Sequence, residues 1–373
     1  MNHNCSILES KQQILAFKDQ WQTLHNDCEC KSIYNSFEFT YHSLCEFKDS
    51  TLKNHIVVIS NNEDTIAIFP FQIYFEKRYI FTFRIMEYIA QDEIDKPCPI
   101  IKKGHEFLAW EYLYEYLNDA KRNWDILSLM EVRSSARDKD INRELCSESN
   151  YMYRINQDKA GPEIRLNKPW SEFWNSHKKM RKKVHKIQTD YKEDLSFKIN
   201  ELPWQESLEI YMILENKSWK KGRVGINKDT ETASFYKNYY QELALKHQLH
   251  FGFLYIKEQV ISAEIAYSLD DKVYFSHGCY DQEYQKYSPG MVSTCLFIKH
   301  FMDKKYSKGD FLCGYSGYLN AWSESTVDTY QVDIYNRSFN NAILFIFRAF
   351  KKILKLPIRS VLNFYNANVN RSS

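Results

Sequence analysis

Two stretches of this chain of 373 residues place a potential proton acceptor among apolar neighbours: Glu264 in SAEIAYS and His277 in VYFSHGCY. A carboxylate in such company needs a partner or a raised pKa. If adjacent strands bring Glu264 near His277, either is a base for an attacking amine, since general bases work best with a pKa near the working pH. The plainer reading makes both of them buried side chains that are merely hydrogen-bonded. A third stretch, Ser288-Pro289-Gly290, sets a hydroxyl, a proline with fixed φ and an unhindered glycine where a helical pattern begins. Unpaired N–H groups and the helix dipole attract phosphate at such a point, although the same triplet also serves as a simple helix start.

These residues need elements to hold them. From Val273 to Tyr280 the residues alternate, with Val273, Phe275, His277 and Cys279 on one face and Tyr274, Ser276 and Tyr280 on the other, which predicts a buried strand. A polar loop from Asp281 to Pro289 leads into a helix carrying Met291, Cys295, Ile298 and Met302, and a short strand from Asp310 to Cys313 follows. Upstream lies a hairpin, 249–256 and 259–269, turning at Lys257-Glu258. Before it come two helices, 206–219 and 230–247, joined by the basic loop Lys220 to Gly225, which suits a cover over a ligand. Trp219, at the end of the first of these helices, either lines a binding surface or packs in the core.

Residues 168–191 read as one helix with Phe173, Met180, Val184 and Ile187 on one side and a dense basic run, Arg181 and Lys183 included, on the other. That run is a solvated face, a trap for an anionic donor or acceptor, or a seat for tRNA phosphates. The first half gives two helices within 14–47, strands at 55–59, 65–74 and 79–86, a helix at 106–118 and a strand at 124–131. Pro70 belongs at a bulge or an edge. The acidic loop with Asp92, Glu93 and Asp95 repels pyrophosphate; it is solvated or faces the cleft between the lobes and holds a cationic acceptor. Residues 150–162 show little periodicity and mark a boundary, and 326–335 alternate as a closing strand.

The order of Ser218-Trp219-Lys220, the hairpin at Lys257-Glu258, His277-Gly278-Cys279-Tyr280-Asp281, Tyr287-Ser288-Pro289-Gly290 and Asp310-Phe311-Leu312-Cys313-Gly314 resembles the FemAB-like, CelD-type branch of the GNAT acyltransferases, from about Phe17 to Asn336. The resemblance implies a mixed α/β fold of two tandem GNAT-like lobes: 1–155 a degenerate first lobe, 156–336 the acyltransferase lobe, and 337–373 an amphipathic helix and tail. It implies acyl-CoA, acetyl-CoA above all, as co-substrate, bound by Gln285, Lys286, Ser288, Gly290 and Met291. Trp219, Lys220, Arg181 and Asp281 would meet the acceptor, an amine of an amino sugar or similar envelope polysaccharide precursor, free or lipid-linked. Where the family commonly carries a lysine, this chain has Leu319, so Tyr315 or Tyr318 is the expected acid for the departing thiolate. The alternatives are an aminoacyl-tRNA-dependent transferase and a non-catalytic scaffold at a membrane.

Composition sets the outer limits. A hydrophobic share of 44% allows a large core, and 16% aromatic residues favour sheet over disorder. With a formal charge of only +2, nucleic acid has no field to follow beyond a local patch. Nine cysteines without a repeating spacing read as reduced thiols of a cytoplasmic protein, and Cys28-Glu29-Cys30 lacks the second pair that structural zinc requires, so no metal is expected. The basic, apolar tail from Phe339 to Leu362 either lies on the inner face of an anionic membrane or docks across the lobes.

Overall fold

The N-terminal residues conceal a strand: β1 (His3–Leu8) pairs antiparallel with β2 (Lys53–Asn61) at the rim of the sheet, where one wet face leaves no apolar run to read. The computed structural model describes residues 3–47, 51–62, 64–89, 93–119, 123–134, 137–313 and 322–346. Between β1 and β2 lie α1 (Lys11–Ala16), α2 (Lys18–Asn26) and α3 (Phe37–Glu46), the last capped by Ser36, whose Oγ accepts from the Phe39 N–H. Then come β3 (Asp64–Arg78), β4 (Phe81–Tyr88), β5 (Ile100–Ile101), α4 (Glu106–Asp119), β6 (Ile126–Arg133), α5 (Asp138–Glu148) and β7 (Met152–Arg165). The second half runs α6 (Trp170–Ser176), α7 (Lys178–Tyr191), β8 (Leu195–Ile199), α8 (Trp204–Lys217), α9 (Thr230–Leu245), β9 (Leu249–Ile256), β10 (Gln259–Leu269), β11 (Lys272–Tyr280), α10 (Pro289–Asp303), β12 (Lys308–Asp310) and β13 (Ser325–Tyr335).

All these strands join one mixed sheet in the order β1-β2-β3-β4-β6-β13-β7-β12-β11-β10-β9-β8, with β5 on β3. Its two halves repeat one plan. In each, an antiparallel meander ends on a strand that crosses over through a helix to a parallel neighbour: β4, α4, β6 in one, β11, α10, β12 in the other. Both parallel ladders are short, Ile85↔Ile126 to Glu87↔Ser128 and Lys272↔Lys308 to Tyr274↔Asp310. Beyond Tyr274 the strands part, because the chain after Asp310 turns to β7, where the Phe311 N–H donates to the Pro162 carbonyl.

The last strand of each half crosses to the other: β7 pairs with β12, β13 pairs with β6, and the two pair with each other along the middle. Residues 150–162 are therefore not a structureless boundary. Most of them belong to β7, whose burial follows its ladder partners rather than a simple alternation, and position 155/156 falls inside that strand. Pro70 lies in an interior strand opposite Ile56, yet it sits just past the end of the β3–β4 ladder, where its carbonyl accepts from Ile89 and no N–H is needed. The expected helix over 168–191 breaks at His177 into α6 and α7.

Helices cover both faces. On one, α8 and α9 bury Tyr211, Phe235, Tyr236 and Tyr239; on the other, α7 and α10 bury Val184, Ile187, Val292 and Ile298. Residues 339–346 are helical, and Leu344 packs with Phe83, Ile85, Ile126 and Tyr335. The remainder of the expected tail helix lies outside the described residues. No helix among the described residues is long and apolar enough to cross a membrane.

Candidate active site

The site is built where β11 leaves β12. Phe275 and Phe311 stack with ring centroids 4.8 Å apart just beyond the last rung of the ladder and fill the apex of the parting. Along β11 the simple alternation fails. Ile265 pairs with His277 but the next residue, Ala266, pairs with Phe275, so Ser276 is an extra residue in the ladder. This bulge reverses the phase. His277 and Cys279 face α8 and α9 with Tyr274, not α10 with Val273 and Phe275.

The bulge also separates the two expected bases. Glu264 lies opposite Gly278 on the α10 face and accepts hydrogen bonds from Ser293 Oγ (2.7 Å) and Thr294 Oγ1 (2.8 Å). A Cβ at Gly278 would stand 2.8 Å from Glu264 Oε2, so the glycine makes the room for this carboxyl. Burial pushes Glu264 up to about 7 against the pull of both hydroxyls and of Lys220. His277 faces the opposite side, edge-on to Tyr236 with centroids 4.8 Å apart, and its Nε2 is buried without a partner among the described residues. Burial, then Lys220 and Lys228, hold it well below the usual histidine range, so it is a neutral imidazole at pH 7.

Glu264 thus carries a stability cost with a definite pH window. Its folded pKa lies above its unfolded value, so the wild type loses stability as pH rises from about 4.5 to about 7 and is level above that. Glu264→Gln should remove this slope. The variant should be about 3 kcal/mol more stable than wild type above pH 7 and converge with it in acid, read from urea midpoints across pH. Parallel curves at all pH values would show that the carboxyl is not held near neutrality.

At the start of α10, Ser288 is in the left-handed region (φ 52°, ψ 53°), uncommon for a residue with a side chain, and its hydroxyl caps nothing. Instead Ser288 Oγ accepts from the Lys183 ammonium of α7 at 3.0 Å, and the same ammonium lies 2.9 Å from Met291 Sδ. Lys186 reaches the Lys286 carbonyl at 3.4 Å, and its ammonium lies 5.4 Å from the Tyr287 ring centroid. Of the amides expected to hold a diphosphate, that of Ser288 donates to the Gln285 carbonyl and that of Met291 to the Ser288 carbonyl. Gly290 keeps an N–H with no partner among the described residues. What converges here is one amide with the ammonium of Lys183, near Lys186 and Lys286, rather than a cradle of amides. Sequence reasoning named α7 as a possible anion trap but did not single out Lys183. Its signal was its place between Met180, Val184 and Ile187, the residues that pin α7 down.

The other expected residues scatter. Trp219 is 59% exposed, so it is not a core residue. Lys220 is no mobile cover: it is buried, with its ammonium 3.1 Å from Glu215 Oε1 and 3.3 Å from the Tyr211 hydroxyl. Asp281 is also buried, and its carboxylate accepts from the Glu283 N–H to cap the turn before α10. Arg181 lies on the outer side of α7, 3.4 Å from Asn175 Oδ1. Gln285 and Lys286 are exposed. Tyr315 and Tyr318 lie outside the described residues.

Glu93 and Asp95 of the acidic loop do face the second half, but as partners rather than open ligands. Glu93 is bonded by Tyr236 (2.6 Å) and paired with Lys228, while Asp95 pairs with Lys96 (2.9 Å) and accepts from the Cys313 N–H. Asp95, Glu131 and Cys313 bring ligand atoms within 4.8 Å of one another. Lys96 and Lys159 already balance those carboxylates, which does not suit a cation.

Residues 175–319 match the family model described as an acetyltransferase (GNAT) domain. No curated protein matches the sequence. Among solved structures the chain is similar to FemX (TM-score 0.58, 9% identity, covering 89% of this chain and 97% of that one). It is similar also to a conserved protein of unknown function from Bacteroides thetaiotaomicron VPI-5482 (0.55, 11%, 89% and 100%). A third is the C-terminal DUF2156 domain of a putative lysylphosphatidylglycerol synthetase from Agrobacterium fabrum (0.54, 7%, 90% and 96%). Residues 175–319 thus match a GNAT acetyltransferase domain, and the chain as a whole shares the fold of FemX.

Proposed function

We propose that the protein transfers an acyl group from acyl-CoA, with acetyl-CoA as the simplest donor, directly to the amine of an amino sugar or a similar cell-envelope polysaccharide precursor. The observation that carries this reading is Lys183 lying across a left-handed Ser288 at the positive end of α10. A cation is disfavoured at a helix N-terminus, and left-handed backbone at a residue other than glycine is strained. Both features make sense where an anion, here the donor diphosphate, binds between the ammonium and the helix start. The donor thioester would then run into the parting between β11 and β12. The amine nitrogen attacks the thioester carbonyl and the C–N bond forms, His277 takes the proton the nitrogen releases, the C–S bond breaks, and the thiolate takes up one proton as His277 gives its own back through solvent. Glu264, bonded to two hydroxyls beneath α10, is the structural member of the pair.

Calorimetric titration tests the donor site. Wild type should bind acetyl-CoA, and Lys183→Ala should bind it about 10- to 100-fold more weakly, the loss of one charge-assisted hydrogen bond. Equal affinities would remove Lys183 from the site, and no binding of any acyl-CoA by wild type would end the reading. A second reading keeps the transfer but changes the donor to aminoacyl-tRNA. Its support is the outer face of α7, where Lys178, Lys179, Lys182 and Lys186 are exposed together. Salt-sensitive tRNA binding without acyl-CoA binding would select it. In either case we place the protein in the cytoplasm, with its basic tail available to the inner face of the membrane.

A further inference from the structure

We infer that the hairpin of β3 and β4 is a membrane-docking arm: its tip, Tyr79-Ile80, and its open face, with Phe75 and Lys77, enter the headgroup layer of an anionic bilayer. This goes beyond the transfer reading and does not depend on it, and the contact it names belongs to the folded sheet rather than to the tail.

The strand registers define the arm. The ladder of β2 and β3 ends at Lys53↔Ile73 and that of β4 and β6 begins at Ile85↔Ile126, so residues 74–84 run on as a two-stranded ribbon with no further strand beside it among the described residues. Such a ribbon is marginal by itself. One of its faces is covered, since Tyr74, Phe81 and Phe83 lie in the cluster around Leu344. Strand alternation turns Phe75, Lys77 and Thr82 to the other face, and all three are exposed, Phe75 to 56%. No carboxylate of the ribbon stands on that open face: Glu76 alternates to the covered side, where it meets Arg78 at 2.6 Å.

The tip is the stronger sign. A two-residue hairpin turn favours Gly, Asn or Asp, above all at a left-handed position. Here the two positions hold Tyr79, at φ 58°, and Ile80, which is 84% exposed. A bulky side chain at positive φ is strained, and an isoleucine left in water adds nothing to the fold, so both residues work against the turn they form. Residues kept against local stability mark a contact made with something else. Tyrosine, isoleucine and lysine side by side suit the headgroup layer: the ring sits at the boundary, the aliphatic chain reaches the acyl region and the ammonium meets anionic lipid. Two further observations favour a bilayer over a protein partner. The chain leaves the described residues beside the arm, with Phe345 packing on the same cluster as Phe81, and residues 347–373 hold six basic side chains and no acidic one. Between β4 and β11 the sheet has three antiparallel pairings and two parallel ones, so the two strands run oppositely. The arm therefore leaves the rim at which β11 ends before the loop to α10, the rim of the proposed donor site.

Sedimentation of the full chain with vesicles tests the arm, and because no donor or acceptor is present its outcome is separate from that of the acetyl-CoA titration. Wild type should bind vesicles of equal parts phosphatidylglycerol and phosphatidylcholine, and bind phosphatidylcholine alone about 10-fold or more weakly. The paired change Tyr79→Gly with Ile80→Asn, which gives the turn its favoured residues, should weaken binding to the mixed vesicles about 10-fold or more and melt no lower than wild type. Phe75→Ser should weaken binding in the same direction. Undiminished binding by the turn variant would leave the tail as the sole contact and overturn the inference, as would failure of wild type to bind either vesicle. A lower melting point of the turn variant would overturn it too, because the tip would then be packed on its own chain. So would a wild-type dimer that the turn variant loses, seen by sedimentation velocity without vesicles, since a second copy would then cover the arm.

Discussion

Replacing His277 with asparagine should lower turnover about 10²- to 10⁴-fold while leaving the affinity for acetyl-CoA unchanged. The two readouts separate because the imidazole packs on α8 and α9, away from the start of α10 where the donor diphosphate is proposed to sit. The pH profile has a definite sign. Burial and the two lysines depress the histidine, and a base must be unprotonated to act, so the rate, once divided by the fraction of acceptor present as free amine, should be flat from about pH 6.5 upward and fall only in acid. An acid limb centred near 7 would instead match Glu264, and with it an almost fully active His277→Asn would move the base to the α10 face. Glu264→Gln, expected to keep its turnover and gain stability, is the control.

How far the sequence revealed this arrangement depended on the kind of signal. The hairpin of β9 and β10, the helix α10 and the strand β11 were legible because burial on one or both sides imposes a period on their residues. β1 and β7 were not, since β1 is wet at the rim and β7 is half-buried or exposed along most of β13 and buried only at 161–164, where β12 joins it. The bulge at Ser276 was equally hidden: one added residue leaves an alternating pattern intact to the eye while turning His277 and Cys279 to the other face. Glu264 and His277 could therefore be recognised as unusual without revealing that they work on different sides. The contact of Lys183 with Ser288 was not legible. A lysine in a basic run looks like a solvent-facing residue until its neighbours are known.

The largest stability loss is expected from Lys96→Met, about 3–5 kcal/mol in a urea titration. Lys96 is 1% exposed, and its ammonium stands between Asp95 (2.9 Å) and Asp310 (2.8 Å), tying the acidic loop of the first half to the strand whose departure opens the site. A Cβ at Gly161 would come within 2.8 Å of that ammonium, so β7 is fitted closely around it. Asp310 illustrates the dependence: burial alone would push its carboxyl up, but Lys96 and Lys272 hold it well below the usual range. Asp95, with desolvation dominant and Asp310 and Glu131 beside it, is pushed up to about 6 even with Lys96 in place. Methionine would fill the volume and leave the two carboxylates facing each other with only Lys272 between them and neutrality. The deficit should shrink as pH falls from about 8 to about 5, because protonating Asp95 removes the repulsion. Adding Asp95→Asn to Lys96→Met should recover most of the loss, since Asp310 and Lys272 then form a balanced pair. Strictly additive losses in the double variant would show that the lysine acts by packing and not by charge.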